Sequence, residues 1–202
     1  MSFIFKKRRK IVIVGLGVSG LSLAKQLLKY DLVVNCWDDD IEKRTLGKEI
    51  GLNITDIKKI NFDKVDYLIL SPGIPHYGPK QHLSSKLAQN SKCKIVSEIE
   101  LLKYLKNEIT LIGITGTNGK TTTASCLEHV LKKNNFNSYA CGNIGLPFTE
   151  VNIKKNDTII LEASSFQLER ITELRFNISI LLNISEDHLD RHQSIENYTK
   201  AK

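Results

Sequence analysis

Short apolar runs recur along the chain, and segments with the spacing of amphipathic helices separate them. Strands are predicted at 10–14, 32–37, 67–70 and 94–96, and again at 109–114, 138–140, 158–162 and 178–182. Helices are predicted at 21–30, 81–88, 98–106 and 121–133. Strands that alternate with helices indicate an α/β protein with parallel sheets and right-handed crossovers.

The pattern runs through the same sequence of elements twice, and each half contains a glycine-rich turn between a strand and a helix. These turns lie at 15–20 and 113–119. We therefore predict two successive α/β domains, at 1–97 and 98–202, that join near 93–107. The fold class expected is a Rossmann-like parallel-sheet domain followed by an incomplete P-loop-type α/β ATPase domain.

The first turn has the spacing GxGxxG, formed by Gly15, Gly17 and Gly20, and Asp38 ends the next strand. A carboxylate at that position commonly binds a ribose, so the pattern alone points to NAD. The fingerprint is weak, however, because such a turn places any pyrophosphate on a helix N-terminus. Asp39 and Asp40 argue against NADP, or they stabilise the start of the next helix. The pattern predicts nucleotide diphosphate binding and leaves the nucleotide open.

The second turn, IGITGTNGKTTT at 112–123, has the composition of a phosphate-binding loop. Successive backbone N–H groups would face the anion, Lys120 would reach the terminal phosphates, and the Thr121 hydroxyl would ligate magnesium. The loop departs from the usual Walker spacing because Ile114 replaces its first glycine. The alternative is an ordinary Gly/Asn turn that contains a lysine.

Acidic and histidine side chains follow two of the later apolar strands. Glu162 ends the run TIILEAS, where a carboxylate could hold magnesium or face solvent. His188 lies in LLNISEDHLDRH among Glu186, Asp187 and Asp190. His188 could be a metal ligand, a general base or part of a surface turn, and chemistry alone favours the surface turn.

Lysine and arginine number 29 against 22 acidic residues, a net charge of +7, and the run KKRRK at 6–10 supplies much of the excess. That run could bind nucleic acid or anionic lipid. No aromatic residues are interleaved with it, and a solvent-exposed segment before the first strand is the better interpretation. The uncharged stretch at 11–24 also resembles part of a secretory signal, although it is too short for a membrane span. The four widely spaced cysteines fit reduced cytosolic thiols. We expect no nucleic-acid partner and no membrane insertion.

Several motifs occur in a fixed order: TGTNGKTT, GNIG at 142–145, EASSFQLE at 162–169 and LNISEDHLDRH at 182–192. Together they resemble the Mur ligases, ATP-dependent amide-forming enzymes of peptidoglycan synthesis. GLGVSG, SPGIP at 71–75 and SSFQLE are most similar to the branch that joins D-glutamate to UDP-N-acetylmuramoyl-L-alanine. TGTNGKTT alone would also fit another Mur ligase or a folylpolyglutamate synthase-type ligase.

The resemblance implies a role for each motif. The first domain would hold the UDP part of the substrate instead of NAD, through Gly17, Val18, Ser19, Asp38 and Ser71. Asp39 and Asp40 stand where family members can carry Thr and Arg beside the uracil. ATP would be bound by Gly116, Thr117, Asn118, Gly119, Lys120, Thr121 and Thr122. The muramoyl-alanine carboxylate would lie near Asn143, Ser164, Ser165 and Gln167.

The resemblance also implies a metal and catalytic set. Thr121 and Glu162 would hold one Mg²⁺, and His188 a second. Lys202 would react with carbon dioxide to carry a carbamate that helps to hold the second Mg²⁺; the family places this lysine in a YxxAK motif, which reads YTKAK at 198–202 here. Lys120, His188 and Lys202 are the expected catalytic residues. A carbamate requires a neutral amine, and hence a lowered lysine pKa.

The implied reaction forms an acyl phosphate from the substrate carboxylate and ATP, which the amine of D-glutamate then attacks. Complete family members carry a further C-terminal domain, so we expect this chain to stop inside the second domain, leaving an open sheet edge. We therefore expect a cytoplasmic monomer that binds UDP-muramoyl substrate weakly at best and does not ligate D-glutamate alone. A non-catalytic UDP-sugar-binding remnant and an NAD-dependent oxidoreductase are the alternatives.

Overall fold

The computed structural model describes Phe3, Phe5 and residues 8–105, 109–143 and 145–202. The end of the predicted 98–106 helix, part of the 6–10 basic run and one position of GNIG lie outside the described residues. The chain divides into two compact units, one formed by 5–98 and the other by 99–202. Phe3 belongs to the second unit, where it forms an antiparallel bridge with Leu105. Each unit contains a parallel sheet, which confirms the α/β fold class.

The first unit contains a four-stranded sheet in the order β2-β1-β3-β4. Its strands are β1 (Lys10–Val14), β2 (Val33–Trp37), β3 (Tyr67–Leu70) and β4 (Lys94–Val96). Its helices are α1 (Val18–Leu27), α2 (Ile41–Glu49) and α3 (Leu83–Gln89), with short 3-10 turns at Ile57–Lys59 and Phe62–Lys64. From β1 the chain passes to β2 on one side, and β3 lies on the other, so the strand order reverses between β1 and β3.

The second unit contains a four-stranded sheet in the order β6-β7-β5-β8. Its strands are β5 (Thr110–Thr115), β6 (Ser138–Gly142), β7 (Thr158–Glu162) and β8 (Ile178–Leu181). Its α-helices are α4 (Lys120–Lys133), α5 (Ser165–Leu168), α6 (Leu189–His192) and α7 (Ile195–Ala201), and 3-10 segments lie at Glu98–Tyr104 and Phe148–Glu150. All neighbouring strands are parallel, so their carboxyl ends share one edge.

The central strands are buried along their whole apolar runs, as expected for parallel sheets covered on both faces. The side chains at 11–14 in β1 and 159–161 in β7 are fully buried. At the open edge of the second sheet, β8 leaves Ile178 50% and Leu181 54% exposed. Beside β8 and β5 lies a cavity of about 320 Å³, whose wall includes Phe176 and Lys202.

Several predicted bounds shift in the structure. The helix expected at 21–30 begins at Val18, because Gly17 is its N-cap and the turn is shorter than the glycine spacing suggests. The predicted 98–106 helix is a 3-10 segment at Glu98–Tyr104. The strand expected at 138–140 continues to Gly142. No helix among the described residues is long and apolar enough to cross a bilayer, and all four cysteines are free thiols.

Glu100 is a fully buried carboxylate that holds the turn at 172–174 in place. It accepts hydrogen bonds from the backbone N–H groups of Thr172 (2.9 Å), Glu173 (3.0 Å) and Leu174 (3.4 Å) and from Lys103 Nζ (2.8 Å). Burial acts to raise the Glu100 pKa, but the hydrogen bonds from Lys103, Thr172 and Glu173 outweigh it, and the pKa is lowered. The carboxylate therefore stabilises the fold in its charged form.

Replacing Glu100 with glutamine should destabilise the second unit by about 3 kcal/mol at neutral pH, because an NH₂ group would face backbone donors. Because the folded pKa lies below the ordinary value of 4.5, the contribution is complete above that pH and lost as the pH falls further. Urea unfolding at pH 7 and pH 3 measures both effects. The loss of unfolding free energy in Glu100→Gln should be smaller at pH 3 than at pH 7. Glu150→Gln, at an exposed position, should have the unfolding free energy of the wild type at both pH values. An equal deficit at both pH values would contradict this role.

Candidate nucleotide-binding sites

The glycine turn of the first unit lies at the carboxyl end of β1, where the strand order reverses. Gly15 has φ +94°, a conformation that favours glycine. Gly20 packs so closely that a Cβ atom there would overlap the carbonyl oxygen of Gly15, whereas the space beside Gly17 is open. Gly17 caps α1 without a side-chain hydrogen bond. First-turn N–H groups are thus left available to an anion.

Two predicted substrate-binding side chains, Ser71 and Asp38, brace this turn. Ser71 Oγ donates to Gly15 O at 2.8 Å. Asp38 is buried, with one oxygen accepting from Leu16 N at 2.6 Å and the other from Asp40 N at 2.9 Å. The structure therefore places Asp38 behind the turn as a support. Its predicted contact with the substrate stays a prediction.

The remaining predicted residues of this site lie around the same turn. Val18 is 72% exposed and Ser19 partly exposed at the start of α1. Asp40 is the N-cap of α2 and accepts from Glu42 N at 2.9 Å, which is the helix-start role considered from the sequence. Asp39 accepts from Trp37 Nε1 at 2.9 Å, and this hydrogen bond lowers the Asp39 pKa.

The predicted phosphate loop of the second unit follows β5 directly and leads into α4. Gly116 has φ +156° and Gly119 φ +84°, and Gly119 is the N-cap of α4. Lys120 folds back over the loop, where its Nζ donates to Gly116 O and to Thr117 O, both at 2.9 Å. Asn118 is exposed and Thr122 lies in the first turn of α4. The seven predicted ATP-binding residues thus form one continuous loop and helix start.

Glu162 and Thr121, the predicted ligands of the first Mg²⁺, are in direct contact. Glu162 ends β7 and is only 2% exposed. Its Oε2 accepts from Thr121 Oγ1 at 2.8 Å, and its buried Oε1 has no hydrogen-bond partner among the described residues. A buried, unsatisfied carboxylate oxygen beside a hydroxyl fits a hard cation such as Mg²⁺. Asn143 lies close by, with its backbone N–H donating to Glu162 O at 2.9 Å.

Ser164, Ser165 and Gln167, which were predicted to line the substrate carboxylate, are largely engaged with the protein itself. Ser164 and Gln167 form a capping box at the start of α5, and Gln167 is fully buried. Ser165 is also buried, with its Oγ 2.9 Å from His192 Nε2. Of the three side chains, only Ser164 is partly exposed in this conformation.

Within the part of the chain that the structure describes, the His188 side chain contacts Phe166 and Asp187 and not the Thr121–Glu162 pair. His188 has φ +52° and caps α6, and its half-exposed ring packs 4.8 Å from the ring of Phe166. Its Nε2 is 3.4 Å from Asp187 Oδ2. Among the described residues, no three His, Cys, Asp or Glu side chains form a metal-binding group. A second metal site at His188 therefore stays a prediction.

Lys202 reaches the phosphate loop from the end of α7. Its Nζ donates to Gly116 O at 2.8 Å and to Thr115 Oγ1 at 3.2 Å, and lies over the Tyr198 ring at 4.9 Å. Burial, with the nearby charge of Lys120, lowers the Lys202 pKa to about 8. A lowered pKa is the condition that carbamate formation requires.

Two side chains that were not among the predicted site residues contact the loop. Asn183 follows β8 and pairs with the backbone of Asn118, and the Tyr198 hydroxyl lies 3.1 Å from Thr117 Oγ1. Asn183 is a polar residue just beyond the carboxyl end of a strand, a position from which it can reach the loop at the same edge of the sheet. The sequence does not show that β8 is the neighbour of β5, so this contact could not be predicted from it.

Glycine-rich turns at the carboxyl ends of parallel strands are typical of nucleotide-binding α/β proteins. The family model of the Mur ligase middle domain matches residues 114–202, and that of the Mur ligase MurD-like N-terminal domain matches residues 9–96. The chain belongs to the Mur ligase family.

Curated relatives similar to this chain include UDP-N-acetylmuramoylalanine--D-glutamate ligases. That of Wolbachia pipientis is 39% identical over 97% of this chain and 38% of its own length. Those of Rickettsia prowazekii and Paramagnetospirillum magneticum are 37% and 36% identical, each over 97% of this chain and 43% of the relative. The chain therefore spans less than half the length of these relatives.

Solved structures of more distant ligases share the fold. The UDP-N-acetylmuramate:L-alanyl-gamma-D-glutamyl-meso-diaminopimelate ligase from Neisseria meningitides superposes with a TM-score of 0.56 at 18% identity, covering 96% of this chain and 66% of that one. The UDP-N-acetylmuramate-alanine ligase from Thermotoga maritima gives a TM-score of 0.53 at 21% identity, covering 96% and 46%. At these identities the likeness concerns the fold.

Proposed function

We propose that this chain carries the UDP-substrate-binding and ATP-binding parts of a ligase that joins D-glutamate to UDP-N-acetylmuramoyl-L-alanine in peptidoglycan biosynthesis. The relatives that match 97% of the chain bear the name of this activity. In the proposed reaction, the substrate carboxylate attacks the γ-phosphate of ATP to form an acyl phosphate and ADP. The amine of D-glutamate then attacks the acyl carbon, which forms the amide and releases phosphate.

The Thr121–Glu162 pair is the observation that carries the ATP part of this proposal. A strand-end carboxylate with an unsatisfied buried oxygen is costly unless a cation satisfies it. Thr121 lies in the first turn of α4, directly after the glycine loop, and Glu162 reaches it from the end of β7. Mg²⁺ held there would neutralise charge on the phosphate oxygens during phosphoryl transfer.

The two lysines at the loop would have different roles, and only Lys120 would add positive charge at the phosphates. Lys120 and Lys202 both hold an ammonium group against the carbonyl oxygen of Gly116. In the proposed complex, Lys120 turns from the loop carbonyls to the terminal phosphates. The lowered pKa of Lys202 leaves a neutral fraction of its amine at neutral pH, which would add carbon dioxide and release a proton to form an anionic carbamate that helps to hold the second Mg²⁺. His188 would also ligate this second Mg²⁺.

Loss of the Glu162 carboxylate should remove the magnesium dependence of nucleotide binding. Glu162→Gln retains the size and a hydrogen-bond acceptor for Thr121 but removes the negative charge that a divalent cation needs. Thermal unfolding with ATP, with and without Mg²⁺, measures the effect: Mg²⁺ should raise the melting temperature of the wild type further, and not that of the variant.

Glu128→Gln on α4 is the matched control, because it removes a carboxylate that pairs with Lys132 on the helix surface. It should retain the magnesium-dependent shift even if its melting temperature falls. An unchanged magnesium response in Glu162→Gln would contradict the proposed site.

The first unit should bind a UDP-sugar and not NAD. UDP-N-acetylmuramoyl-L-alanine at high concentration is expected to raise the melting temperature, because its diphosphate would lie against the uncapped N-terminus of α1. NAD also carries a diphosphate, so the expectation that it leaves the melting temperature unchanged rests on the relatives, whose names give a UDP-linked substrate. Stabilisation by NAD alone would instead favour the oxidoreductase alternative.

We also propose that the protein acts in the cytoplasm on small-molecule substrates. ATP and a UDP-linked precursor are cytoplasmic metabolites, and the four free thiols, three of them buried, fit a reducing compartment. The expected oligomeric state is a monomer.

A further inference from the structure

The segment that follows β8 lies against the phosphate loop and forms a set of hydrogen bonds with it. Thr117 N donates to Asn183 O at 3.0 Å. The Thr117 hydroxyl donates to Ser185 O at 3.1 Å, and Ser185 N donates to the same hydroxyl at 3.0 Å. The conformation of the loop is therefore coupled to the exit of the neighbouring strand.

The Asn183 carboxamide uses both of its polar atoms on the backbone of one loop residue, Asn118. Its Oδ1 accepts from Asn118 N at 2.9 Å, and its Nδ2 donates to Asn118 O at 3.0 Å. This pairing fixes the orientation of both backbone groups of Asn118. It also occupies the Asn118 N–H, so that this group does not serve as a phosphate donor in this conformation.

The pairing of Asn183 with Asn118 acts as a clamp on the loop. This matters because the loop between Gly116 and Gly119 has little intrinsic rigidity. Both glycines have positive φ values, and glycine has access to many other conformations at little cost. A phosphate-binding loop that must be ordered by the ligand loses affinity to the entropy of ordering. A clamp from outside the loop removes part of that loss in advance.

We propose that Asn183 is a positioning residue that preorganises the phosphate loop for nucleotide binding. This inference rests on the proposed ATP site and adds a residue that would not itself touch the nucleotide. Because Asn183 precedes His188 in the same connection, it also ties the loop to the segment that carries the proposed second metal ligand.

Asn177 provides a matched control at the other end of the same strand. It immediately precedes β8, and its Oδ1 accepts from Leu111 N at 2.7 Å, so it also supports β5 through a side-chain amide. Leu111 is near the amino end of β5, opposite the phosphate loop. Asn177→Ala and Asn183→Ala therefore remove similar interactions at opposite ends of the sheet.

The experiment measures MgATP affinity by calorimetry and thermal stability without ligand for the wild-type chain and both variants. Asn183→Ala should raise the Kd for MgATP about tenfold, from the loss of the clamp. Asn177→Ala should lower the melting temperature without changing the Kd. Equal Kd values for the wild type and Asn183→Ala, or equal losses in both variants, would overturn the proposal.

Amide hydrogen exchange of the ligand-free chain tests the clamp without relying on nucleotide binding. Asn183→Ala should accelerate exchange of the Asn118 amide at least tenfold, whereas Asn177→Ala should not. Unchanged exchange at Asn118 would overturn the clamp itself. A wild-type chain that bound no MgATP would contradict the proposed function and the nucleotide role of Asn183 together, and accelerated exchange would still support the clamp.

Discussion

Lys120→Met is expected to weaken MgATP binding by about a hundredfold, the largest functional loss of any single substitution considered, because charge-assisted hydrogen bonds to phosphate are lost. In the structure, the Lys120 ammonium lies over the loop, 2.9 Å from two carbonyl oxygens. Phosphate oxygens are stronger acceptors than those carbonyls and carry negative charge. Methionine retains an unbranched side chain and high helix propensity, so α4 should keep its start.

The measurement is calorimetric titration of MgATP into the wild type, Lys120→Met and Lys133→Met. Lys133 ends the same helix and is exposed, so its replacement removes one positive charge far along α4 from the loop. Lys133→Met should bind MgATP like the wild type. Comparable affinity in all three proteins would show that the loop is not the ATP site.

Lys120→Met should also change the chemistry of Lys202. The positive charge of Lys120 contributes, after burial, to the lowered pKa of Lys202. Without that charge, the Lys202 pKa should rise toward its ordinary value and the neutral fraction of the amine should fall. The same substitution would therefore reduce the capacity of Lys202 to form a carbamate.

Gly20→Ala should destabilise the first unit by about 3 kcal/mol or more, because the added Cβ atom would overlap the backbone oxygen of Gly15. That oxygen also accepts from Ser71 Oγ, so relief of the overlap would disturb the junction of β1 and β3. A flexible side chain could move aside, but here the obstacle is main chain. Urea unfolding of the chain measures the loss.

Gly17→Ala separates folding from binding at the same turn. A Cβ atom at Gly17 meets open space, and its φ of −71° is accessible to alanine. Stability should therefore remain near that of the wild type. The affinity for UDP-N-acetylmuramoyl-L-alanine should fall about tenfold, because the methyl group would keep a pyrophosphate from the helix N-terminus. A Gly20→Ala variant as stable as Gly17→Ala would contradict this division of roles.

Local patterns predicted the elements better than the contacts between them. The bounds of β7 at Thr158–Glu162 and the starts of β1 and β3 agree with the predictions, because a buried parallel strand is a continuous apolar run bounded by polar residues. The contact of Thr121 with Glu162 is likewise expected once β7 is placed beside β5. The Mur ligase resemblance supplied the family, and the two family models confirm it.

Contacts that depend on strand order and side-chain burial could not be predicted from the sequence. Gln167 could be read as a polar residue facing a substrate, yet its amide is fully buried in the capping box with Ser164. The pairing of Ser165 with His192 joins positions that no local pattern relates. In each case, the side chain contacts another part of the protein, and its predicted contact with the substrate stays a prediction.

The left-handed backbone of His188 determines how its side chain can be tested. Alanine at φ +52° would combine loss of the imidazole with backbone strain, so any defect would have two causes. Glycine adopts this conformation freely, and asparagine tolerates it well. His188→Gly or His188→Asn, compared with the wild type, would therefore measure the loss of the ring, and the additional defect of His188→Ala would measure the strain of the turn.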